Sequence, residues 1–398
     1  DLYFTMDYDL WLRLADSGAR VATCDWPVAL FRQHPDQKTA DLTATIGEQL
    51  MVWEKHRPDR LPLMRLCDLS EHIEVPYEGR KPRVLFHSTR FAKVFSPRIR
   101  RDLPKFMDRH GIDLIIPSMD GSVDDLEGID VVVMPIHVRN EHLLISKWRR
   151  LGLEAPVVGW LWDNHHSHIA HSELLPHLDV VVPGHSMPQG PLQDLGGLWT
   201  EALPLCVSQW TMNEVDSFTD GWNPSETRST IVMGGFVDYP SLGRRTKELV
   251  EVMKIPGFED VVLIDEDHLL DSYFALPGQS RFDEWSAHQT SLVWPLHGDL
   301  SQRFFDALLA GQVPVVVDAP RDLQTLLEQD HELADHVVIS ESTTTESLSE
   351  ARQQALETFT RYGSEGVRYR HVTGRAHTLE ARLLSISAAV FGQERVSP

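Results

Sequence analysis

Short apolar runs alternate with segments of helical length along the chain from residue 83 onward. The runs are rich in valine and isoleucine and do not alternate with polar residues, which is typical of parallel strands buried on both faces. A first set covers 83–89, 112–117, 129–136, 155–164 and 178–185, and a second set covers 229–236, 260–267, 290–296 and 313–317. The pattern predicts an α/β fold of two facing, doubly wound parallel-sheet units, with a ligand cleft beyond the carboxyl ends of the strands.

The residues before this region have a different pattern of apolar and polar positions. Residues 1–56 contain a helical apolar stripe, a short alternating stretch and a second helical stretch, and they predict a small α/β region. Residues 57–82 contain four prolines and scattered charges, which predicts a linker. The chain begins at Asp1 in what reads as the middle of an element, so we expect the natural protein to be longer.

Composition narrows the classes of function. The chain has 398 residues, of which 42% are apolar, and its net charge of −22 argues against a nucleic-acid-binding surface taken over the whole chain. Cys24, Cys67 and Cys206 are far apart and odd in number, so they predict neither a disulfide framework nor a metal ribbon. No apolar run approaches the ~20 residues of a spanning helix. We expect a cytoplasmic protein, with the inner face of the cell membrane as an alternative location.

The stretch "HGDLSQRFFDALLAGQVPVVV" at 297–317 carries the clearest chemistry. A turn after the strand at 290–296 leads into an amphipathic helix whose first amides, at residues 301–303, are predicted to point into the cleft and favour an anion. Gly298 allows close backbone approach, Ser301 lies at the helix start, Arg303 adds a cation and Asp306 is placed to accept hydrogen bonds from sugar hydroxyls. The alternative is a helix that only packs between two core strands, which leaves Arg303 and Asp306 unexplained. The arrangement predicts a site for a nucleoside diphosphate.

This segment resembles the donor-binding segment of GT-B glycosyltransferases, and most of all the bacterial and spore-coat-type proteins with the motif S-x-R-x-F-E-A-L-A-x-G. The resemblance implies that Asp306 takes the position of the acidic residue that holds the donor ribose. Many retaining members have a glutamate eight residues earlier, where this chain has Gly298. Gly234 and Gly235 end the first predicted strand of the second unit, in a turn that lies against the donor in such proteins; a simple tight turn is the alternative.

The resemblance also implies the roles of the domains. Residues 83–205 would be the acceptor lobe, 206–376 the nucleotide-sugar donor lobe, and 377–398 a C-terminal helix that braces the first lobe. The donor would be a UDP-, GDP- or dTDP-sugar, and the GT-B domain would require no cofactor.

The N-terminal stretch "MDYDLWLRLADSG" resembles the end of a GT-A catalytic domain of the large inverting family. By that match Asp7 is the catalytic base of a GT-A remnant. The nucleotide-binding strands and the metal-binding Asp-x-Asp that precede this motif in such domains are absent from the sequence, and a complete GT-A domain would need Mg or Mn. The resemblance implies that residues 1–56 belong to a longer two-transferase polypeptide.

A histidine-rich stretch, "GWLWDNHHSHIAHSELLPH", follows the predicted strand at 155–164. Asp163 with His165 or His166 is well placed there to take the proton from an acceptor hydroxyl, because a neighbouring carboxylate orients and charges an imidazole. A metal site and a solvated surface run are the alternatives. We predict no metal, because no cysteine or spaced acidic residue completes a ligand shell.

Together these features predict a glycosyltransferase of bacterial surface polysaccharide assembly. The predicted partners are a nucleotide sugar and a saccharide or glycolipid acceptor, with no nucleic acid and with a glycan-assembly complex at the membrane as a further possibility. Two alternatives remain open: a non-catalytic GT-B-like scaffold module, and a nucleotide-sugar 2-epimerase.

Overall fold

The computed structural model describes residues 10, 13–14, 17, 80–87, 96–117, 123, 126–136, 141–162, 173–186, 198–207, 209–220, 222–238, 243–265, 278–295 and 298–391. Asp7 and nearly all of the predicted GT-A remnant and of the predicted linker lie outside this set.

The first unit is a six-stranded, fully parallel sheet. Its strands, in the order β2-β1-β3-β4-β5-β6, are β1 Arg83–Phe86, β2 Asp113–Ile115, β3 Val131–Ile136, β4 Val157–Leu161, β5 Val180–Pro183 and β6 Leu198–Trp199. Its helices are α1 Ser96–Arg109 and α2 Glu141–Arg150, with a 3₁₀ turn at Leu175–His177. The central strands β3 and β4 are buried along their whole length, which explains their unbroken apolar sequence.

The second unit is a five-stranded parallel sheet in the order β11-β10-β9-β7-β8. Its strands are β7 Met233–Asp238, β8 Asp260–Asp265, β9 Thr290–Val293, β10 Val313–Val317 and β11 Val338–Ser340. Its helices are α3 Met212–Thr219, α4 Gly243–Val252, α5 Gly278–Ser286, α6 Gln302–Leu309, α7 Arg321–Gln329, α8 His331–Ala334 and α9 Thr345–Ala376. α6 lies between β9 and β10 in the chain, where the sequence predicts a helix.

Two chain segments run between the units, one formed by residues 204–207 and 209–212 and the other by residues 376–382, and we call them the crossing segments. They lie side by side, because the Val207 amide donates to the His377 carbonyl at 3.0 Å. After the second crossing, α10 Leu379–Val390 packs on α1 and β3 of the first unit. An apolar cluster includes residues of both units, among them Trp160 and Phe305. The predicted fold class is confirmed in its two parallel-sheet α/β domains. Within the described part of the chain, no helix combines the length and apolar character needed to span a bilayer.

Candidate functional site

The N-terminal end of α6 is built by Gly298 and Ser301. Gly298 has a φ of +84°, a left-handed conformation that favours glycine, and a side chain at this position would meet no atom within 4 Å. Ser301 is the N-cap of α6, and its hydroxyl accepts a hydrogen bond from the Arg303 amide at 3.4 Å. The cap of the helix itself therefore satisfies this amide, which is one of the three predicted to face the cleft.

The apolar face of α6 is buried as predicted. Its buried residues include Phe304, Phe305, Ala307 and Leu308. They fix the helix against the second sheet, so its N-terminal turn has a defined position relative to the strand ends.

Arg303 lies against the carboxyl-terminal half of β7. Its Nε donates to the Gly235 carbonyl, and its guanidinium carbon lies 5.3 Å from the centre of the Phe236 ring. The structure thus brings together the predicted residues Arg303 and Gly235. Gly234 and Gly235 lie inside β7, which continues to Asp238. The prediction that they form a turn is wrong, because each pairs in register with a residue of β8.

A second arginine, Arg245 in the first turn of α4, joins this site. Its Nη2 donates to the Val237 carbonyl at 2.7 Å, and its guanidinium carbon lies 6.0 Å from the Phe236 ring centre. Sequence reasoning missed Arg245, because an arginine among polar helical residues is usually solvated. Two half-buried arginines therefore place their guanidinium groups beside one buried ring, close to the carboxyl end of an interior strand. Such a pair of cations favours an anion of more than one charge.

Asp306 faces the protein interior. Its side chain is 1% exposed, and its Oδ2 accepts a hydrogen bond from Gln209 Nε2 at 2.8 Å. Among the described residues, Oδ1 has no hydrogen-bond partner. Burial raises the pKa of Asp306 to about 7, although the Gln209 bond and the attraction of Arg303 and Arg281 act in the opposite direction. The predicted contact between Asp306 and a ribose stays a prediction, since the carboxylate points toward the first crossing segment in this conformation.

The predicted proton acceptors Asp163, His165 and His166 lie outside the described residues. The described part of the first unit offers another imidazole, His87, directly after β1. It is buried, it meets the Trp148 ring edge to face at 5.7 Å, and its Nε2 has no hydrogen-bond partner among the described residues. Burial, assisted by the charge of Arg100, lowers the pKa of His87 to about 4, so the ring is neutral at pH 7. Sequence reasoning missed it because a single histidine after a strand carries no motif.

Polar contacts also join the two units directly, and the one nearest α7 involves Asp322. The carboxylate of Asp322, in the first turn of α7, accepts hydrogen bonds from the amide and the hydroxyl of Ser186, which follows β5. Burial raises the pKa of Asp322 above its ordinary value, and the bonds from Ser186 oppose the rise. Among the described residues there is no group of three histidine, cysteine or acidic side chains placed to hold a metal ion.

No family model matches the chain, and no curated protein is similar to it at a significant level. Among solved structures, sucrose-phosphate synthase from Thermosynechococcus elongatus is 10% identical with a TM-score of 0.45, covering 78% of this chain and 98% of its own. An α1,3-fucosyltransferase with GDP-fucose is 8% identical with a TM-score of 0.40, covering 84% and 99%, and the same type of enzyme with GDP is 9% identical with a TM-score of 0.41, covering 79% and 97%. Scores this low carry no argument about activity. The fold assignment rests on the two parallel sheets and their crossing segments.

The buried Asp306 carboxyl predicts a pH-dependent stability. Its pKa is about 7 in the folded chain and near 3.8 in the unfolded chain, so the folded state binds more protons between these values. The free energy of unfolding should therefore fall as pH rises from about 4 to about 7. Asp306→Asn cannot ionise. We therefore expect the free energy of unfolding of the variant minus that of the wild type to increase by roughly 2–4 kcal/mol as pH rises through this window.

Urea unfolding at pH 5, 6, 7 and 8 checks this. The matched control is Glu341→Gln, which removes an exposed carboxylate. Parallel curves for the wild type and Asp306→Asn would show that Asp306 does not titrate differently in the folded state.

Proposed function

We propose that this chain is a glycosyltransferase whose second unit binds a nucleotide-sugar donor at the N-terminal end of α6. The observation that carries the proposal is the pair of guanidinium groups of Arg303 and Arg245 beside Phe236. A helix N-terminus and two arginines near the carboxyl end of a central parallel strand suit a diphosphate. Gly298 leaves open space next to the same turn.

In this proposal the reaction breaks the bond between the sugar C1 and the diphosphate oxygen, and an acceptor hydroxyl forms the new bond to C1. The positive end of α6, Arg303 and Arg245 stabilise the charge that develops on the leaving diphosphate. No metal is required by this scheme, because these groups supply the neutralising charge. The acceptor approaches from the first unit, where Asp163 with His165 or His166 takes the hydroxyl proton.

The substrate classes follow the resemblance of the 297–317 segment. We propose a UDP-, GDP- or dTDP-sugar as donor and a saccharide or glycolipid as acceptor. The setting would be bacterial surface polysaccharide assembly in the cytoplasm or at the inner membrane face. We propose further that residues 1–56, with Asp7, belong to a GT-A domain of a longer chain.

One alternative has specific support. A scaffold module of GT-B shape, without catalysis, would explain why Gly298 stands where many retaining enzymes have a glutamate and why the Asp306 carboxylate is buried. Such a module would have the fold but no affinity for a nucleotide.

The experiment that tests the proposal is a calorimetric titration of the full chain with UDP, GDP, CMP, dTDP and ADP. We expect saturable binding of one nucleotide. The corresponding nucleotide sugar is then incubated with and without saccharide acceptors. Release of the nucleotide only with an acceptor supports a transferase, and conversion of the donor without an acceptor supports an epimerase. Failure of all five nucleotides to bind would overturn the proposal and favour the scaffold module.

A further inference from the structure

The two crossing segments are joined by a buried arginine. Arg382 donates from Nε to the Pro204 carbonyl at 3.2 Å, and its Nη1 lies 2.8 Å from His377 Nδ1. Arg382 and His377 are both fully buried. Any change in the relative position of the two units must move or bend these segments, because they connect the two described sheets along the chain.

The donor-side helix α6 touches both crossing segments. On the second segment, the Phe305 ring lies 4.7 Å from the His377 ring, and the Arg382 guanidinium carbon lies 5.1 Å from the centre of the Phe305 ring. On the first segment, Gln209 donates to Asp306. Adjacent residues of one helix therefore contact both connections between the units.

Gln209 is itself held in place from a third direction. Its carbonyl accepts a hydrogen bond from Arg281 Nη2 at 3.2 Å, and the next residue, Trp210, donates from its indole to the Gly278 carbonyl at 2.8 Å. Both bonds lead to α5. The side chain of Gln209 thus presents a fixed donor to Asp306, and removing either partner of such a buried hydrogen bond leaves the other one unsatisfied.

We propose that Asp306 is a positioning residue that ties α6 to the first crossing segment through Gln209, so that a ligand at the N-terminus of α6 and the relative position of the two units are coupled. The proposal rests on the proposed function, since it needs a nucleotide at α6. Arg303 lies one turn before Asp306 on the same helix, so a diphosphate that shifts the first turn also acts on the Asp306–Gln209 bond. In this role the carboxylate need not touch the ribose.

The test compares nucleotide affinity in four proteins: the wild type, Gln209→Met, Asp306→Ala and the double variant. The probe is whichever of UDP, GDP, CMP, dTDP and ADP binds the wild type, together with its form that lacks the sugar hydroxyls. We expect each single variant to weaken binding roughly 5- to 50-fold, and the double variant to be no weaker than the weaker single one. The preference of the wild type for the unmodified nucleotide over the form without sugar hydroxyls should be unchanged in Asp306→Ala.

A direct contact between Asp306 and the nucleotide sugar ring predicts a different result. If Asp306 contacts the sugar ring, Gln209→Met binds like the wild type, while Asp306→Ala loses the preference for the unmodified nucleotide. That outcome would overturn the proposal and leave the donor site intact. If the wild type binds none of the probes, the proposed function and the coupling both fall, so the two failures are distinguishable.

A second measurement tests the coupling independently of the binding affinity. The radius of gyration from small-angle scattering is compared with and without saturating nucleotide. We expect the nucleotide-dependent change of the wild type to be lost in Gln209→Met and kept in Asp306→Asn, which retains an oxygen that accepts from Gln209. If the radius of gyration of Gln209→Met changes with nucleotide as much as that of the wild type, the proposal is overturned. Both of these variants keep the volume of the side chain, so they carry the test if Asp306→Ala fails to fold.

Discussion

Arg303→Ala is expected to weaken nucleotide binding by roughly 10- to 150-fold, because a charge-assisted hydrogen bond contributes about 1.5–3 kcal/mol. The guanidinium is half-buried beside Phe236, at the N-terminal turn of α6, so water screens it less than a surface arginine. Calorimetric titration of the nucleotide that binds the wild type measures the loss. The dissociation constant should become less sensitive to salt, since one cation has been removed.

Two further variants separate charge from structure. Arg303→Lys keeps the cation but loses the planar fork that bonds the Gly235 carbonyl, so we expect intermediate affinity. Arg361→Ala removes an exposed arginine of α9 and should bind like the wild type. Wild-type affinity in Arg303→Ala, with the melting temperature unchanged, would contradict the donor site at α6.

The sheets could be predicted from the sequence because their strands are buried on both faces. The run at 313–317 is the whole of β10, and every residue of it is buried. The short edge strands β6 and β11 escaped prediction, because two or three residues with partly exposed side chains leave no distinctive pattern. The edge strands β2 and β8 could be predicted, because each lies within a longer apolar run of the sequence.

The site was predictable only where its residues share one element. Gly298, Ser301 and Arg303 are close in the chain, so one motif reveals them together. Arg245 belongs to the site because α4 follows β7, a tertiary relation without a local signal. The burial of Asp306 depends on Gln209, 97 positions earlier in the chain. Local spacing cannot report such a partner.

The far end of α6 shows why its position is so well defined. Three basic side chains contact its last carbonyls: His371 Nδ1 lies 2.5 Å from Leu309 O, Arg228 donates to Ala310 at 2.8 Å and Arg370 to Gly311 at 3.0 Å. Cations at the C-terminal end of a helix complement its dipole. Burial lowers the pKa of Arg370 to about 9 and that of Arg228 to about 10, and both remain charged at pH 7. Positive charge at one end and a predicted anion site at the other give α6 a single orientation.

Gly374→Ala is expected to be the most damaging small substitution for stability. A methyl group at Gly374 would overlap the Leu309 amide nitrogen and would lie 2.6 Å from the Leu309 Cα and 2.8 Å from the Leu308 carbonyl carbon. All three are backbone atoms of α6, so no side chain can rotate away. Alanine normally favours a helix over glycine by about 1 kcal/mol, but forced separation of packed elements costs typically 1–3 kcal/mol or more. Because the opposing atoms are rigid backbone, we expect the upper end of this cost and a net loss of roughly 2 kcal/mol in the free energy of unfolding.

Urea unfolding measures this loss, with Val372→Ala as the control on the same helix. Val372 is 63% exposed, so its truncation should change stability by less than about 0.5 kcal/mol. The backbone contact between α9 and α6 at Gly374 also sets the position of α6. Gly374→Ala should therefore weaken nucleotide binding even at temperatures where the variant is fully folded. A variant as stable as the wild type would mean that α9 and α6 lie further apart in solution. In that case the backbone contact at Gly374 does not position the donor-side helix.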